Sequence, residues 1–310
     1  MIINNKEFSI FIKNKLSFLI KKKIEKTKLV YSYLNKSEYD TSVKKIIKEL
    51  IEKKIKQSGK RYKNKWEDGW GENYYRYKKT AKFVDLIPKY FFKEKISRIG
   101  DKFIKPKSRY YDYKILTLIT SYVFEKYLKK EKMVIEFGCG TGHNLLNLIK
   151  FNKTAKLYGL DWSLSSRKIL NYINKKYPNI KGHKFNYFKT PHSSLFLKKL
   201  NLKKNHWCCF TVASLEQVGK KFKKYINFLK ITKPKLIINI EPINELMNKN
   251  ILLDYLSIKY CKKRNYLNGY FSYLKTLEKR KIIKFLEIKK SYFGSFYING
   301  YSILAWKFLK

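Results

Sequence analysis

Residues 131–149 carry the pattern that most constrains how this chain can fold. A short apolar run over 133–135 leads to Glu136, and a glycine-rich turn, GCGTG, follows at 138–142. Apolar residues over 145–149 then recur with a helical period. A strand, a glycine turn and a helix in this order bring the backbone close to a nucleotide-like ligand. The pattern therefore predicts an α/β fold with a ligand site at the turn.

The spacing of the glycines separates two classes of nucleotide site. A dinucleotide fingerprint has the spacing G-x-G-x-x-G, which places a pyrophosphate on the helix N-terminus. This chain has G-x-G-x-G, with an acid two positions before the first glycine. A second acid, Asp161, ends the next apolar run, about twenty residues beyond the glycines as a βαβ unit requires. The two stretches EFGCGTG and GLDWS resemble motif I and the ribose-binding acid of the class I S-adenosylmethionine-dependent methyltransferases.

The resemblance covers residues 131–310. It implies an α/β fold with a doubly wound, Rossmann-like sheet of seven strands that ends in an antiparallel β-hairpin, and S-adenosyl-L-methionine as cofactor. The pattern of apolar runs agrees, since candidate strands alternate with helical segments. These strands are expected near 132–137, 156–161, 181–186, 207–214, 235–241, 283–291 and 301–308. Residues 1–130 are predicted to form a separate, mainly helical N-terminal extension and are a candidate substrate cap.

Two segments of this extension carry a clear pattern. Apolar residues recur at helical spacing over 43–55, which predicts an amphipathic helix that starts near Asp40. Such a basic helix could lie on a membrane surface, but packing against the main domain is the simpler expectation. Residues 65–77 combine two Trp, two Gly, three acids and an Arg within an aromatic run. This composition predicts a loop, either a lid over a substrate pocket or a loop packed on the core.

The resemblance also implies which residues bind the cofactor. One of them, Asn186, stands where many relatives carry an Asp that binds the adenine amino group, and its side-chain carbonyl could accept the same bond. The full set of implied cofactor residues is Glu136, Gly138, Cys139, Gly140, Gly142, Asp161, Trp162, Asn186 and Tyr187.

Three residues are candidates for catalysis. Open α/β sheets bind ligands at the carboxyl ends of their strands, and Glu216 and Glu241 follow two adjacent predicted strands. One of them is predicted to hold or deprotonate the methyl acceptor. The alternative is that Glu216 caps a helix and Glu241 pairs with a base in the scaffold. His143, directly after the glycine turn, is predicted either to reach the cofactor carboxylate or the acceptor, or to start a helix and face solvent.

The net charge of +48 suggests nucleic-acid binding, but the composition offers another explanation. Only 7 of the 71 basic residues are Arg, and Lys, Asn, Ile, Tyr and Phe, all encoded by AT-rich codons, are abundant. The excess of basic residues is also spread evenly over 1–130 and 131–310. Coding bias therefore accounts for the charge, and nucleic acid remains a less favoured partner.

The acceptor is inferred from motifs that the sequence lacks. It has no N-P-P-Y motif, no cysteine motif of the cytosine-C5 enzymes and no metal-ligand triad for catechols. This leaves an O or N atom of a small-molecule or glycan-like acceptor, with an RNA methyltransferase and a noncatalytic protein of the same fold as alternatives. No metal site is expected, because no His lies at zinc-ligand spacing. Four cysteines without a CxxC pair, and no signal peptide or membrane span, predict a cytoplasmic location.

Overall fold

The computed structural model describes residues 1–52, 55–59, 62–92 and 96–309. These residues form β1 Tyr31–Tyr33, β2 Ser97–Ile99, β3 Lys102–Pro106, β4 Met133–Phe137, β5 Lys156–Asp161, β6 Ile180–Lys184, β7 Cys208–Val212, β8 Leu236–Glu241, β9 Ile283–Lys289, β10 Phe293–Ser295 and β11 Ser302–Phe308. They also form α1 Asn5–Ile12, α2 Phe18–Thr27, α3 Lys36–Ile51, α4 Lys63–Thr80, α5 Tyr111–Val123, α6 His143–Leu148, α7 Leu164–Asn174, α8 Ser193–Lys199, α9 Lys223–Thr232, α10 Leu252–Arg264 and α11 Tyr270–Lys279.

The main sheet has seven strands in the order β6-β5-β4-β7-β8-β11-β9. Strands β4 to β8 run parallel, and β11 pairs antiparallel with both β8 and β9. This confirms the predicted doubly wound α/β sheet that ends in an antiparallel pair, which is the fold implied by the resemblance to class I methyltransferases. Because parallel strands point their carboxyl ends to one edge, the turns that follow β4 to β8 meet there.

Apolar side chains cover both faces of the main sheet. Val134 and Leu157 lie in one buried cluster, and their strand neighbours Ile135 and Tyr158 lie in the other. Alternate residues of a strand point to opposite faces, so each parallel strand contributes to two cores. This explains why the candidate strands form nearly continuous apolar runs in the sequence.

The amphipathic helix of the N-terminal extension is present, but it starts earlier than predicted. Helix α3 begins at Lys36, because the Asn35 side chain accepts from the backbone N–H of Glu38 and the Glu38 side chain accepts in return. It ends at Ile51, so the last apolar position of the pattern, Ile55, lies outside it. Asp40, the predicted start, lies within the helix.

A second, antiparallel sheet was not anticipated from the sequence. Its order is β1-β3-β2-β10, so three short strands of the N-terminal extension join one from the C-terminal part of the chain. Around it, Phe8 of α1 stacks on Phe293 of β10 with ring centroids 5.8 Å apart. Residues 1–130 are thus mainly helical but share a sheet with residues 293–295. None of the described helices has both the length and the apolar character needed to cross a bilayer.

Candidate functional site

A cavity opens at the carboxyl edge of the main sheet, and we call it the glycine-turn cavity. Its empty space, with the open mouth included, is about 760 Å³. The turns after β4, β5, β6 and β7 form its base, and aromatic residues from the N-terminal extension cover it. Its glycine, polar and aromatic lining residues are Trp66, Trp70, Tyr90, Glu136, Gly138, Cys139, Gly140, His143, Asn144, Asp161, Trp162, Phe185, Asn186, Tyr187, Phe188, Ser214 and Gln217.

The glycines of the turn have different surroundings. Gly138 has φ +69°, and a Cβ there would lie 2.5 Å from the Cβ of Ser214. Gly140 has φ +51°, and a Cβ there would lie 2.9 Å from the Trp70 indole. Gly142 caps α6 beside Leu170 and does not line the cavity, contrary to its predicted role in cofactor binding. Both Gly138 and Gly140 therefore need to be glycine, since Gly138 packs on Ser214 and Gly140 packs directly on the Trp70 indole in a left-handed backbone.

Asp161 holds the turns after β4 and β5 together. Its Oδ2 accepts from the backbone N–H of Gly140 at 3.0 Å, and its Oδ1 accepts from the N–H of Ser163 at 2.9 Å. Burial raises the pKa of Asp161 to about 6, and the backbone bonds limit that rise. Each carboxylate oxygen can accept a further bond, so the side chain remains available to a ligand in the cavity.

Glu136 contributes an oxygen without a partner. The residue is only 1% exposed, and its Oε1 accepts from Asn144 Nδ2 at 2.8 Å. Its Oε2 has no hydrogen-bond partner among the described residues, and burial raises the pKa of Glu136 well above its usual range. Glu136 and Asp161 are acids, and the described cavity wall contains no Lys or Arg. The wall thus suits a ligand that carries positive charge.

His143 is held in one tautomer. Thr141 Oγ1 donates to the carbonyl oxygen of Leu86 at 2.7 Å and lies 3.0 Å from His143 Nδ1. A hydroxyl has one hydrogen and a carbonyl can only accept, so Nδ1 must be the donor to Oγ1. His143 is 6% exposed, and burial lowers its pKa to about 4. The ring is therefore neutral, it lines the cavity instead of facing solvent, and its Nε2 is an acceptor without a partner among the described residues.

The aromatic stretch at 65–77 is a helix, so the predicted loop is wrong. It belongs to α4, whose Trp66 and Trp70 stack with centroids 5.4 Å apart and both line the cavity. Glycines are poor helix formers, which made the stretch resemble a loop. A Cβ at Gly71 would make an ordinary contact with Ser165 Oγ at 3.5 Å, so the packing of α4 on α7 does not itself require glycine there.

Helix α4 is attached to α7 by Glu67. Its two carboxylate oxygens accept from the backbone N–H groups of Leu164 and Ser165, at 2.7 and 2.8 Å. These N–H groups belong to the first turn of α7, where the helix dipole favours a negative charge. Sequence reasoning missed Glu67, because the helix it caps lies about a hundred residues further along the chain.

The part of the cavity wall beside Asp161 consists of aromatic side chains and the amide side chain of Asn186. Trp162 stacks on Phe188 with ring centroids 6.0 Å apart, and Asn186 and Tyr187 also line the cavity. Asn186 Oδ1 already accepts from the N–H of Phe188 at 2.9 Å, so one of its lone pairs is occupied. The Tyr187 hydroxyl lies 3.1 Å from Ser214 Oγ. Cys139 also lines the cavity, with its thiol 3.5 Å from Ser166 Oγ.

Glu241 does not face the cavity, which corrects the expectation that it contacts an acceptor. It is fully buried and accepts from the backbone N–H groups of Ser214, Leu215 and Glu216, at 3.2, 3.0 and 3.1 Å. Three such bonds hold the turn after β7 in place. The position of Glu241 at a strand end was predicted correctly, but strand position alone does not say where a side chain points.

Glu216 is also absent from the wall of the glycine-turn cavity. It lies on the wall of a second cavity, which shares Tyr90 and Ala213 with the first. Its Oε1 accepts from Gln217 Nε2 at 2.7 Å. Burial, with the neighbouring charge of Glu241, raises the pKa of Glu216 to about 8. Glu216 is therefore a buried acid next to the cavity and not a helix cap.

Comparisons with known proteins concern the fold. No family model matches the chain, and no curated protein matches its sequence. Its structure is similar to an O-methyltransferase of neocarzinostatin biosynthesis, solved with S-adenosyl-L-homocysteine and 1,4-dihydroxy-2-naphthoic acid, at 12% identity over 64% of this chain and 58% of that one, with a TM-score of 0.44. Human N-acetylserotonin methyltransferase, solved with S-adenosylmethionine, has 14% identity over 64% of this chain and 53% of that one, with a TM-score of 0.41.

A third similar structure is the N-methyltransferase NodS from Bradyrhizobium japonicum, solved with S-adenosyl-L-homocysteine. It has 9% identity over 58% of this chain and 79% of that one, with a TM-score of 0.41. The chain matches a little over half the length of the first two proteins. These similarities assign no activity and no acceptor to this chain.

Proposed function

We propose that the chain binds S-adenosyl-L-methionine in the glycine-turn cavity and transfers the methyl group to an O or N atom of a small molecule. The observation that carries this proposal is the meeting of Gly140, Asp161 and the unpartnered Glu136 oxygen on one wall. The cofactor has two ribose hydroxyls, a sulfonium and an ammonium. Asp161 can accept from the hydroxyls, and Glu136 Oε2 can accept from the ammonium, which would lower the pKa of that buried acid.

The remaining wall residues suit the rest of the cofactor. The stacked pair Trp162 and Phe188 offers an aromatic surface to the adenine ring, and Asn186 on the same cavity wall offers an amide to its edge. Trp70 lies over Gly140 and would cover the bound molecule from the solvent side. When bound, the cofactor supplies a methyl group on a positively charged sulfur, which a nucleophile displaces in line.

The chain's own groups then have simple tasks. His143 Nε2 is a neutral acceptor on the cavity wall, so it can hydrogen-bond the nucleophile, or take its proton where the nucleophile is a hydroxyl. The Thr141–Leu86 contact keeps the Nδ1 proton in place and Nε2 free. The stacked Trp66 and Trp70 exclude water from the reacting atoms.

One observation favours RNA as a second candidate acceptor. A groove beside the glycine-turn cavity shares Phe188 and Val218 with it and is lined by Lys56, Lys65, Lys220 and Lys221, with no acid among its described lining residues. Such a groove attracts phosphates at low salt. Methylation of cell extract before and after ribonuclease treatment separates the two candidates, because labelled product that survives the nuclease supports the small molecule.

Calorimetry with S-adenosyl-L-methionine and S-adenosyl-L-homocysteine tests the proposal. Asp161→Ala should weaken binding by roughly 1.5–3 kcal/mol, about 10- to 150-fold, because a charged acceptor of two hydroxyl bonds is lost. Asp101→Ala, which removes an exposed acid of the β2–β3 turn, is the control and should bind normally. If the wild-type protein binds neither compound, or if Asp161→Ala binds as tightly as wild type, the proposal fails.

A further inference from the structure

The second cavity, which we call the Glu216 pocket, is a candidate site for a second ligand. It encloses about 550 Å³ of empty space, its mouth included, and joins the glycine-turn cavity at Tyr90 and Ala213. The polar and aromatic side chains on its wall are Tyr90, Phe91, Asp112, Glu216, Ser295 and Tyr301. A small molecule bound there would lie next to the glycine-turn cavity.

The charge of this pocket is opposite to that of the protein. The chain has 71 basic and 23 acidic residues, yet the charged residues on the described pocket wall are two acids, Asp112 and Glu216. Both are about nine-tenths buried. A nearby cation, Arg264, is off the wall and donates to the carbonyl of Lys56 and to the Tyr266 hydroxyl, and its charge partly offsets the rise in the pKa of Glu216. The coding bias that fills the surface with lysine therefore does not extend to this pocket.

The aromatic residues of the wall add to the same preference. Tyr90 and Phe91 have ring centroids 4.6 Å apart, and Tyr301 completes an aromatic surface beside the acids. Aromatic faces and carboxylates both attract cations, and the attraction increases where water is excluded. The pKa of Glu216 is raised by burial and by Glu241, so a bound cation would be stabilised by restoring the charge of this acid.

We propose that the Glu216 pocket binds the methyl acceptor and that this acceptor is a small aliphatic amine, bound as its ammonium ion. This inference rests on the function proposed above. In the reaction the ammonium passes one proton to the Glu216 carboxylate, and the freed lone pair of nitrogen forms a bond to the methyl carbon. The bond from that carbon to the sulfonium sulfur breaks, its electron pair stays on sulfur, and the product is a methylated ammonium ion.

A binding experiment with the full chain tests the pocket without knowledge of the natural acceptor. Tetramethylammonium, which cannot be methylated, should bind to the wild-type protein with S-adenosyl-L-homocysteine present, while the neutral analogue tert-butanol should bind at least about 10-fold more weakly. Glu216→Gln should lose this discrimination. Glu131→Gln, which removes an acid outside both cavities, should keep it.

An activity assay tests the acceptor class. S-adenosyl-L-homocysteine release is measured with matched sets of small alkylamines, alcohols and carboxylates. Amines should be methylated, and Glu216→Gln should lower kcat/KM for them by roughly 100-fold, with cofactor affinity unchanged within about 3-fold. Glu216→Asp keeps the charge and should recover part of the activity, which separates lost charge from misfolding.

The outcomes separate this inference from the proposed function. Failure to bind the cofactor would overturn both. Cofactor binding with methylation of alcohols or carboxylates alone, or amine methylation that Glu216→Gln leaves intact, would overturn the amine acceptor only. Equal binding of tetramethylammonium and tert-butanol would also overturn the amine acceptor only.

Discussion

The two cavities meet at Tyr90 and Ala213 but are assembled in different ways. Most of the base of the glycine-turn cavity comes from residues 136–188, the ends of three consecutive strands and the turns that follow them. The Glu216 pocket is formed by four separate segments, near residues 90, 112, 213–216 and 295–301. A site built from neighbouring turns leaves a motif in the sequence, whereas a site built from distant segments does not.

The two cavities also share a property that the surface lacks. Neither described wall contains Lys or Arg, although these make up 71 of 310 residues. The adjoining groove, by contrast, is lined by four lysines. The composition of the exterior thus follows the coding bias, while the cavity walls do not, because Lys and Arg are rarely buried.

A substitution in the glycine turn should have the largest effect and would test the difference between the two cavities most directly. Gly138→Ala should lower the free energy of unfolding by about 3 kcal/mol or more, because the added Cβ meets Ser214 in a left-handed backbone. Gly269→Ala is a matched control, with φ +76° and no neighbour within 4 Å, and should cost only about 1 kcal/mol. Urea denaturation measures both. Equal losses would mean that Gly138 is not packed on the scaffold.

A second prediction tests whether His143 acts in catalysis or in cofactor binding. His143→Phe should reduce kcat by roughly 100-fold and leave cofactor affinity nearly unchanged, because Nε2 serves the nucleophile. Thr141→Val should produce a similar loss, since the ring would no longer be fixed in the Nδ1–H tautomer, whereas Thr141→Ser should retain most activity. If cofactor binding were lost to the same extent, His143 would be a cofactor-binding residue and not a catalytic one.

The smallest expected effect tests whether helix α4, which is distant in sequence from the glycine turn, contributes to cofactor binding. Glu67→Gln should weaken cofactor binding by roughly 5-fold, because α4 and its two Trp residues would be held less firmly to α7. Glu72→Gln, on the same helix but in an exposed ion pair with Lys89, is the control. If the two variants bind the cofactor equally well, α4 is only a cover and not part of the site.

The sequence predicted the local parts of the molecule. Strand β4, the glycine turn and Asp161 lie where the motif placed them, because each depends on neighbours within about thirty residues. The direction of Glu241 was not predictable, because the N–H groups that bind it belong to the turn after β7, which carries no recognisable motif. The second sheet was missed for a related reason: β1, β2 and β10 have three residues each, too few to show a period.

The placement of β10 and β11 has a consequence for synthesis of the protein. Strand β11 lies between β8 and β9 in the main sheet, and β10 completes the second sheet against β2. Neither sheet can close until residues 293–308 have left the ribosome. Until then Phe8 and Phe11 of α1 lack Phe293, the ring on which both pack. The nascent chain thus exposes these two apolar rings until Phe293 is available, and such transiently exposed surface is prone to aggregation.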